Sequence, residues 1–424
     1  MPEAFLQPSP SPKTNLGRYK VLSPNAGVHV SPMQLGAMSI GDKWDKFGMG
    51  SMDKARSFEL LDAFFVNGGN FIDTANTKMR HLRCSLENGQ KNEEFEINCS
   101  LRPRLILHCT LIYWQYHKGS LNQYTTNLKT HNDSVYQQIL YTGNNAKSMY
   151  ISVEASLKKL RTNYIDLLYL HWWDWDTSIE EVMKSLHSLV VQGKVLYLGV
   201  SDTPAWVVSK ANQYARDHAL TPFVVYQGAW NVMARSFERE IIPMARSEGT
   251  STKPSSPNPH FAQQFQLLGM ALAPWNVLAA GKIRTDEEEE RRRQTGEKGR
   301  TIFSPNWERN DQEKKVCKAL EKVAAEAGAK SITAVAIAYL MQKTTYVFPI
   351  VGGRKVEHLM SNIEALDISL SDEQIKYLES IIPFDPGFPS TFIGDGTKTG
   401  TFIDAAGQTD LRPIAQPLRP TAKS

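Results

Sequence analysis

Cysteine is scarce in this chain of 424 residues: four in all, at Cys84, Cys99, Cys109 and Cys317. Their spacing matches no metal-ligand pattern and builds no disulfide framework, so no metal and no disulfide scaffold are expected. No apolar run approaches the roughly 20 residues that a membrane-spanning helix needs. The first residues, MPEAFLQPSPSPKTNLGRYK, lack the apolar centre of a secretory signal. An excess of one charge is also missing. Lys and Arg number 48 against 44 Asp and Glu, which calls for neither a nucleic-acid nor a membrane partner. The one charge run, DEEEERRR at 286–293, reads as a solvated helix or loop. A reducing, cytoplasmic setting is the expectation that follows.

What is present is the material of a large soluble core. Hydrophobic residues make up 41% of the chain, and barrel enzymes of this length are common as single domains. Short β-rich runs recur: VHVSPMQLGAM (28–38), NFIDTA (70–75), YIDLLYLHWW (164–173), VLYLGVSD (195–202), FVVYQGAW (223–230), MALAPW (270–275) and YVFPIVGG (346–353). Between them SFELLDAFFVNGG (57–69), IEEVMKSLHSLVVQG (179–193), PAWVVSKANQYARDHA (204–219) and SITAVAIAYLMQK (331–343) show helical spacing. Such alternation predicts a parallel sheet, and strands this continuously apolar predict an α/β fold closed into a (β/α)₈ TIM barrel. Seven of eight strands are legible. The eighth belongs between 76 and 164, where LILHCTLIYW (105–114) fits on apolarity alone.

Two stretches break the pattern. Residues 77–138 are rich in Asn, Gln, His and Cys, with poor periodicity. Residues 250–268 form a Ser/Pro-rich insertion where a barrel needs a short connection. The expected organisation is a flexible start over 1–17, a barrel over 18–383 with those two interruptions, and a Gly/Pro-rich tail over 384–424 that wraps the barrel or is disordered.

A barrel carries its reactive groups where its strands end. Asp73 ends FID, as a helix cap or as a site carboxylate. His171 ends YIDLLYLH, as packing or as a catalyst. Ser201, Asp202 and Gln227 end two further strands, where each alone could be turn chemistry, and Trp275 could be ordinary packing. VGGRKVEHLMSN (351–362) sets two glycines before a helix with Arg354, Lys355 and His358 close behind, a cradle suited to phosphate. Paired carboxylates of the kind a barrel hydrolase needs are lacking. One after another on successive strands, these features are hard to explain separately.

Together they resemble the aldo-keto reductases, and within them the fungal aryl-alcohol dehydrogenase and norsolorinic-acid-reductase-like branch. The carriers are LGAMSIGDKW, GSMDKARSFELLDAF, GGNFIDTAN, HWWDW, GKVLYLGVSDTPAWVVS, YQGAWNVM, IIPMAR, GMALAPWNVL and VFPIVGGRKVEHLMSNIEAL. The resemblance implies a barrel that binds NADPH/NADP+ without a Rossmann domain. It implies that Asp73 and His171 are catalytic, with Asp73 also at the cofactor. Ser201, Asp202 and Gln227 then hold the nicotinamide carboxamide, and Trp275 stacks on the ring. Leu278, Ala279, Gly281 and Lys282 match the pyrophosphate loop. Gly353, Arg354, His358, Ser361 and Asn362 match the adenosine-2′-phosphate site. The implied reaction interconverts an aldehyde or ketone and an alcohol in fungal secondary metabolism, on a small-molecule substrate among aryl, polyketide or meroterpenoid carbonyls. Oligomeric state is not legible.

The family also uses a Tyr as proton donor and a Lys, paired with the Asp, that lowers its pKa. The Tyr falls at the position of Lys78 and is absent, and the strand bearing the Lys is not recognisable. The genetic code offers a reason. Permitted codons for 76–104, read from the third base of each, can spell YQDETSEMFIGEWAEKRRIRDQLFFATK, which supplies the Tyr just after DTAN and a strand ending in Lys. A frameshift or misplaced exon boundary is inferred, ending before YTGNNAKSM (141–149). Excising 250–268 joins SEG to GMALAPW, and the flanking codons can supply intron ends. The rival expectation for the chain as written is a catalytically impaired NADPH-binding barrel.

Overall fold

The computed structural model describes residues 9–41, 51–75, 106–111, 142–248, 269–296, 306–398, 400–409 and 416–420. The expected Tyr and Lys positions, the inferred frameshift and the 250–268 insertion lie outside them, apart from the strand within 105–114. The chain opens with a 3₁₀ turn at Asn15–Gly17, inside the stretch expected to be flexible, and there Leu16 is fully buried. A hairpin follows, β1 (Lys20–Ser23) and β2 (Ala26–Val30).

Eight parallel strands then form one sheet: β3 (Gln34–Gly36), β4 (Phe71–Ala75), β5 (Ile106–Leu111), β6 (Ile165–Leu170), β7 (Val195–Ser201), β8 (Phe223–Ala229), β9 (Ala271–Trp275) and β10 (Ile350–Val351). β10 pairs with β3, and a parallel bridge between Leu272 and Val347 joins the other edge, closing the barrel. The eighth strand is thus found inside LILHCTLIYW, pairing with β4 on one side and β6 on the other. Two expected runs are shorter than their apolar extent. VHVSPMQLGAM divides between β2 and the three-residue β3, and YVFPIVGG contributes only Ile350–Val351 as strand.

The period-2 alternation of the strands sorts side chains into two layers. On β6, Leu167 and Tyr169 face the barrel interior with Phe71, Val225, Ala271 and Phe348. Leu22, Ala26 and Val30 of the hairpin join this inner cluster. Leu168 and Leu170 join the other layer, against the surrounding helices. Gly199 of β7 lies beside Tyr169 in register, and a Cβ there would sit 2.6 Å from the Tyr169 ring. Glycine is what lets a tyrosine fit inside the barrel.

The helices begin on polar caps. Asp53, Asn145 and Ser178 accept from the backbone N–H three residues on, at the starts of α1 (Lys54–Val66), α2 (Ala146–Leu160) and α3 (Ile179–Val191). Ile179, Val182, Met183, Leu186 and Leu189 form the buried stripe of α3. Then come α4 (Ala205–Asp217), α5 (Phe237–Ser247), α6 (Asp286–Thr295), α7 (Asp311–Ala327), α8 (Ile332–Lys343), α9 (Val356–Ile363) and α10 (Asp372–Ile381). Among the described residues no single helix is long and apolar enough to cross a membrane. In the tail, Arg239 of α5 donates to the carbonyls of Asp385 and Pro386, and Arg246 pairs with Asp395 at 3.2 Å.

Candidate active site

The strand ends bring five of the expected residues into one hydrogen-bonded group. Gln227 of β8 is its hub. Its Nε2 donates to Asp73 Oδ1 of β4 at 3.2 Å, and its Oε1 lies 3.3 Å from the Ser201 hydroxyl of β7. That hydroxyl also reaches Asp202 Oδ2 at 3.1 Å. Asp202 adopts a left-handed backbone, φ +43, with its own N–H donating to the Gln227 carbonyl at 3.0 Å. Aspartate tolerates that conformation better than most residues. The Nε1–H of Trp275, at the end of β9, is shared between both Asp202 carboxylate oxygens at 3.2 Å each.

Burial drives the Asp202 carboxyl up to about 6, against hydrogen bonds from Ser201, Trp275, Trp172 and the Ala229 backbone that favour its charge. His171, the residue after β6, stacks on Trp172 with ring centroids 4.6 Å apart. Trp172 therefore links the histidine to Asp202, a role sequence reading missed inside the aromatic run HWWDW. The loop behind it is pinned by buried Asp174, which accepts from the Asn144 N–H and from the Thr177 N–H and hydroxyl.

Past β9 the chain turns through a loop held in unusual backbone. Asn276, Ala279 and Ala280 have φ of +59, +48 and +54, and Gly281 follows at +87. Each left-handed non-glycine residue costs about 1 kcal/mol or more, and such strain gathers where a loop grips a ligand. Asn276 Oδ1 accepts from the Ala280 N–H at 2.7 Å, and Asn231 donates to the Asn276 carbonyl. Leu278 is half-buried against the core. Lys282 turns toward the start of α7, donating to the Glu308 carbonyl and pairing with Glu313 at 3.2 Å.

Below this loop lies a buried ion group. Arg284 donates to Glu289 Oε2 at 2.9 Å and to the Gly281 carbonyl at 3.0 Å; Arg309 donates to the same Glu289 oxygen at 2.9 Å. All three side chains are at most 2% exposed. The run DEEEERRR, expected to be solvated, is a helix whose Glu289 points inward. The two guanidiniums hold Glu289 down to about 2 despite its burial.

The remaining expected residues stand along α9, Gly353, Arg354 and His358 at its start and Ser361 and Asn362 in its last turn. Gly353 is followed by exposed Arg354 and His358, while Ser361 donates to Ser331 at 3.0 Å and Asn362 is buried. Among the described residues no group of three metal-ligating side chains gathers.

The aldo/keto reductase family model matches residues 32–383. The chain belongs to the aldo/keto reductase family. Its relatives include aryl-alcohol dehydrogenase (NADP(+)) of Phanerodontia chrysosporium, 53% identical over 97% of this chain and 98% of that protein. Aldo-keto reductase ausK of Emericella nidulans is 44% identical over 93% of this chain and 89% of its own length. Norsolorinic acid reductase B of Dothistroma septosporum is 46% identical over 92% and 87%. In this aldo-keto reductase β4 and β6 carry Asp73 and His171 on either side of β5, whose His108, Cys109 and Thr110 lie level with Asp73, Thr74 and Ala75. β5 holds no lysine.

Proposed function

We propose that this barrel is an NADPH-dependent oxidoreductase interconverting an aldehyde or ketone and its alcohol, with a place in fungal secondary metabolism. The observation that carries the reading is the convergence of Asp73, Ser201, Asp202, Gln227 and Trp275 in one hydrogen-bonded group where the strands end. Their chemistry suits a carboxamide, which needs both a donor and an acceptor, beside an indole face for a flat heteroaromatic ring. The strained 276–281 loop suits a pyrophosphate, and Arg354 with His358 at a helix start suits a 2′-phosphate. Bound there, NADPH supplies the hydride that reduces the carbonyl carbon. His171 orients the carbonyl oxygen, and Asp73 and Gln227 fix the floor of the site. The relative named for NADP(+) supports the choice of dinucleotide.

The experiment is a fluorescence titration of the purified chain. Expected is NADPH binding that Arg354→Ala weakens about 10- to 100-fold, with NADH binding little changed. A chain that binds neither dinucleotide defeats the reading.

A second reading, a barrel that binds NADPH but turns over poorly, is favoured by one observation: the strand between Asp73 and His171 offers no lysine. Tyr169 does not replace the family's proton donor. It is fully buried, and burial together with the Asp73 charge pushes its phenol well above 10. Loss of a positioned general acid costs roughly 10²–10⁴-fold in rate. NADPH consumption with an aromatic aldehyde separates the two readings, and His171→Ala reports whether any turnover is that of this site.

A further inference from the structure

We propose that the Asp202 carboxylate makes this site discriminate between the redox forms of its dinucleotide, holding the oxidised form more tightly than the reduced one. The inference rests on the reading of Trp275 as the ring that stacks on the nicotinamide.

The geometry comes from the indole. Both Asp202 oxygens lie 3.2 Å from Trp275 Nε1. A second ring in van der Waals contact with that indole, at about 3.5–4 Å, lies within roughly 4–7 Å of the carboxylate. The nicotinamide ring is cationic when oxidised and neutral when reduced. A hydrogen bond to the carboxamide acts on both forms nearly alike, whereas a fixed negative charge acts on one. At this distance and degree of burial the pair is worth about tenfold in affinity or more. The same field assists carbonyl reduction, because the ring becomes cationic as its hydride passes to the carbonyl carbon. It also slows release of the oxidised product.

The surroundings keep the charge in place. Ser201, Trp275 and Trp172 donate to Asp202, and among the described residues no cation takes part in these bonds. The charge is mostly present above pH 7. Among the described residues, the titratable groups that share the region are Asp73 of β4, reached through Gln227, His171 at the end of β6, beside Trp172, and Tyr226 of β8. The Tyr226 hydroxyl donates to the Thr203 carbonyl, and its phenol is held above its ordinary range by burial and by Asp202 itself.

The test measures the dissociation constants of NADP+ and NADPH for wild type and Asp202→Asn at pH 8. Asn keeps the shape and an acceptor for Trp275. Expected is an NADP+ affinity that falls about tenfold relative to NADPH in the variant. As a second measurement, the wild-type preference for NADP+ shrinks between pH 8 and pH 5 more than that of Asp202→Asn, whose residual response measures everything other than Asp202. Equal loss of both nucleotides in the variant, or identical pH responses in the two proteins, overturns the inference and leaves the dinucleotide reading standing. Absence of any dinucleotide binding by wild type overturns both.

Discussion

Asp202 is ionised at neutral pH in a place that resists the charge, and this has a consequence without any ligand. Its carboxyl rises from 3.8 to about 6 on folding because burial outweighs the hydrogen bonds that favour the anion. The folded state therefore binds the proton more tightly than the unfolded chain. The resulting penalty is absent below about pH 4, grows as pH rises through 6, and is complete above 7. Asp202→Asn is expected to gain about 2–3 kcal/mol over wild type at pH 7.5 and to lose most of that advantage toward pH 4.5, read from urea unfolding across the interval. An advantage that does not change with pH counts against a strained carboxylate. Asp73, Ser201, Gln227 and Trp275 were legible in the sequence because each lies at the end of an apolar run, where the side-chain alternation meets the barrel mouth. Trp172 was not, because three tryptophans share HWWDW and only the exit angle of β6 decides which one meets Asp202. The direction of Lys282 was not legible either, since its partners Glu308 and Glu313 come from a segment about thirty residues on.

Among the elements, composition revealed the long buried strands and hid the short ones. β6 and β8 have all but one residue buried and β7 buries its last four, so their apolar runs matched their extents. β3 and β10, three and two residues long, are set by pairing with each other rather than by their own sequence. The error with a mechanism is α6. Its formula DEEEERRR is that of a surface helix, and Glu287 and Glu290 do face solvent. Glu289 instead lies between Arg284 and Arg309, and Arg284 in turn donates to the Gly281 carbonyl of the strained loop. Removing one partner of such a group leaves uncompensated buried charge, here two guanidiniums facing one another. Glu289→Ala is expected to cost about 3–5 kcal/mol of stability, a far larger loss than Glu290→Ala, which is expected to stay within about 0.5 kcal/mol. Comparable urea midpoints for the two variants defeat the assignment of Glu289 as the interior anchor.

At the scale of the whole molecule, the barrel divides by function rather than by structure. Apart from Asp73, the proposed dinucleotide contacts come from β7 onward, through β8 and β9 to α9, all within described parts of the chain. The proposed catalytic residues, Asp73 and His171, come from β4 and the end of β6, which flank the strand whose neighbours at 76–105 and 112–141 lie outside the described residues. A lesion confined to the second set leaves the first intact, because the strands after β6 take their positions from one another and from the β9–β10 closure. The chain as written is therefore expected to bind NADPH while turning over slowly. If the shifted reading of 76–104 is the natural one, a chain carrying YQDETSEMFIGEWAEKRRIRDQLFFATK in that place regains a proton donor just after β4 in sequence and a lysine just before β5. Its rate with an aromatic aldehyde should then rise about 10²–10⁴-fold. Its NADPH dissociation constant should stay within about threefold, since none of the groups proposed to grip the dinucleotide has changed. Dinucleotide binding without a gain in rate sinks the frameshift, and a large change in binding sinks the separation of the two halves. Sequencing the transcript reaches the first conclusion independently: a message that encodes 77–138 as written leaves an NADPH-binding barrel without the family's proton donor.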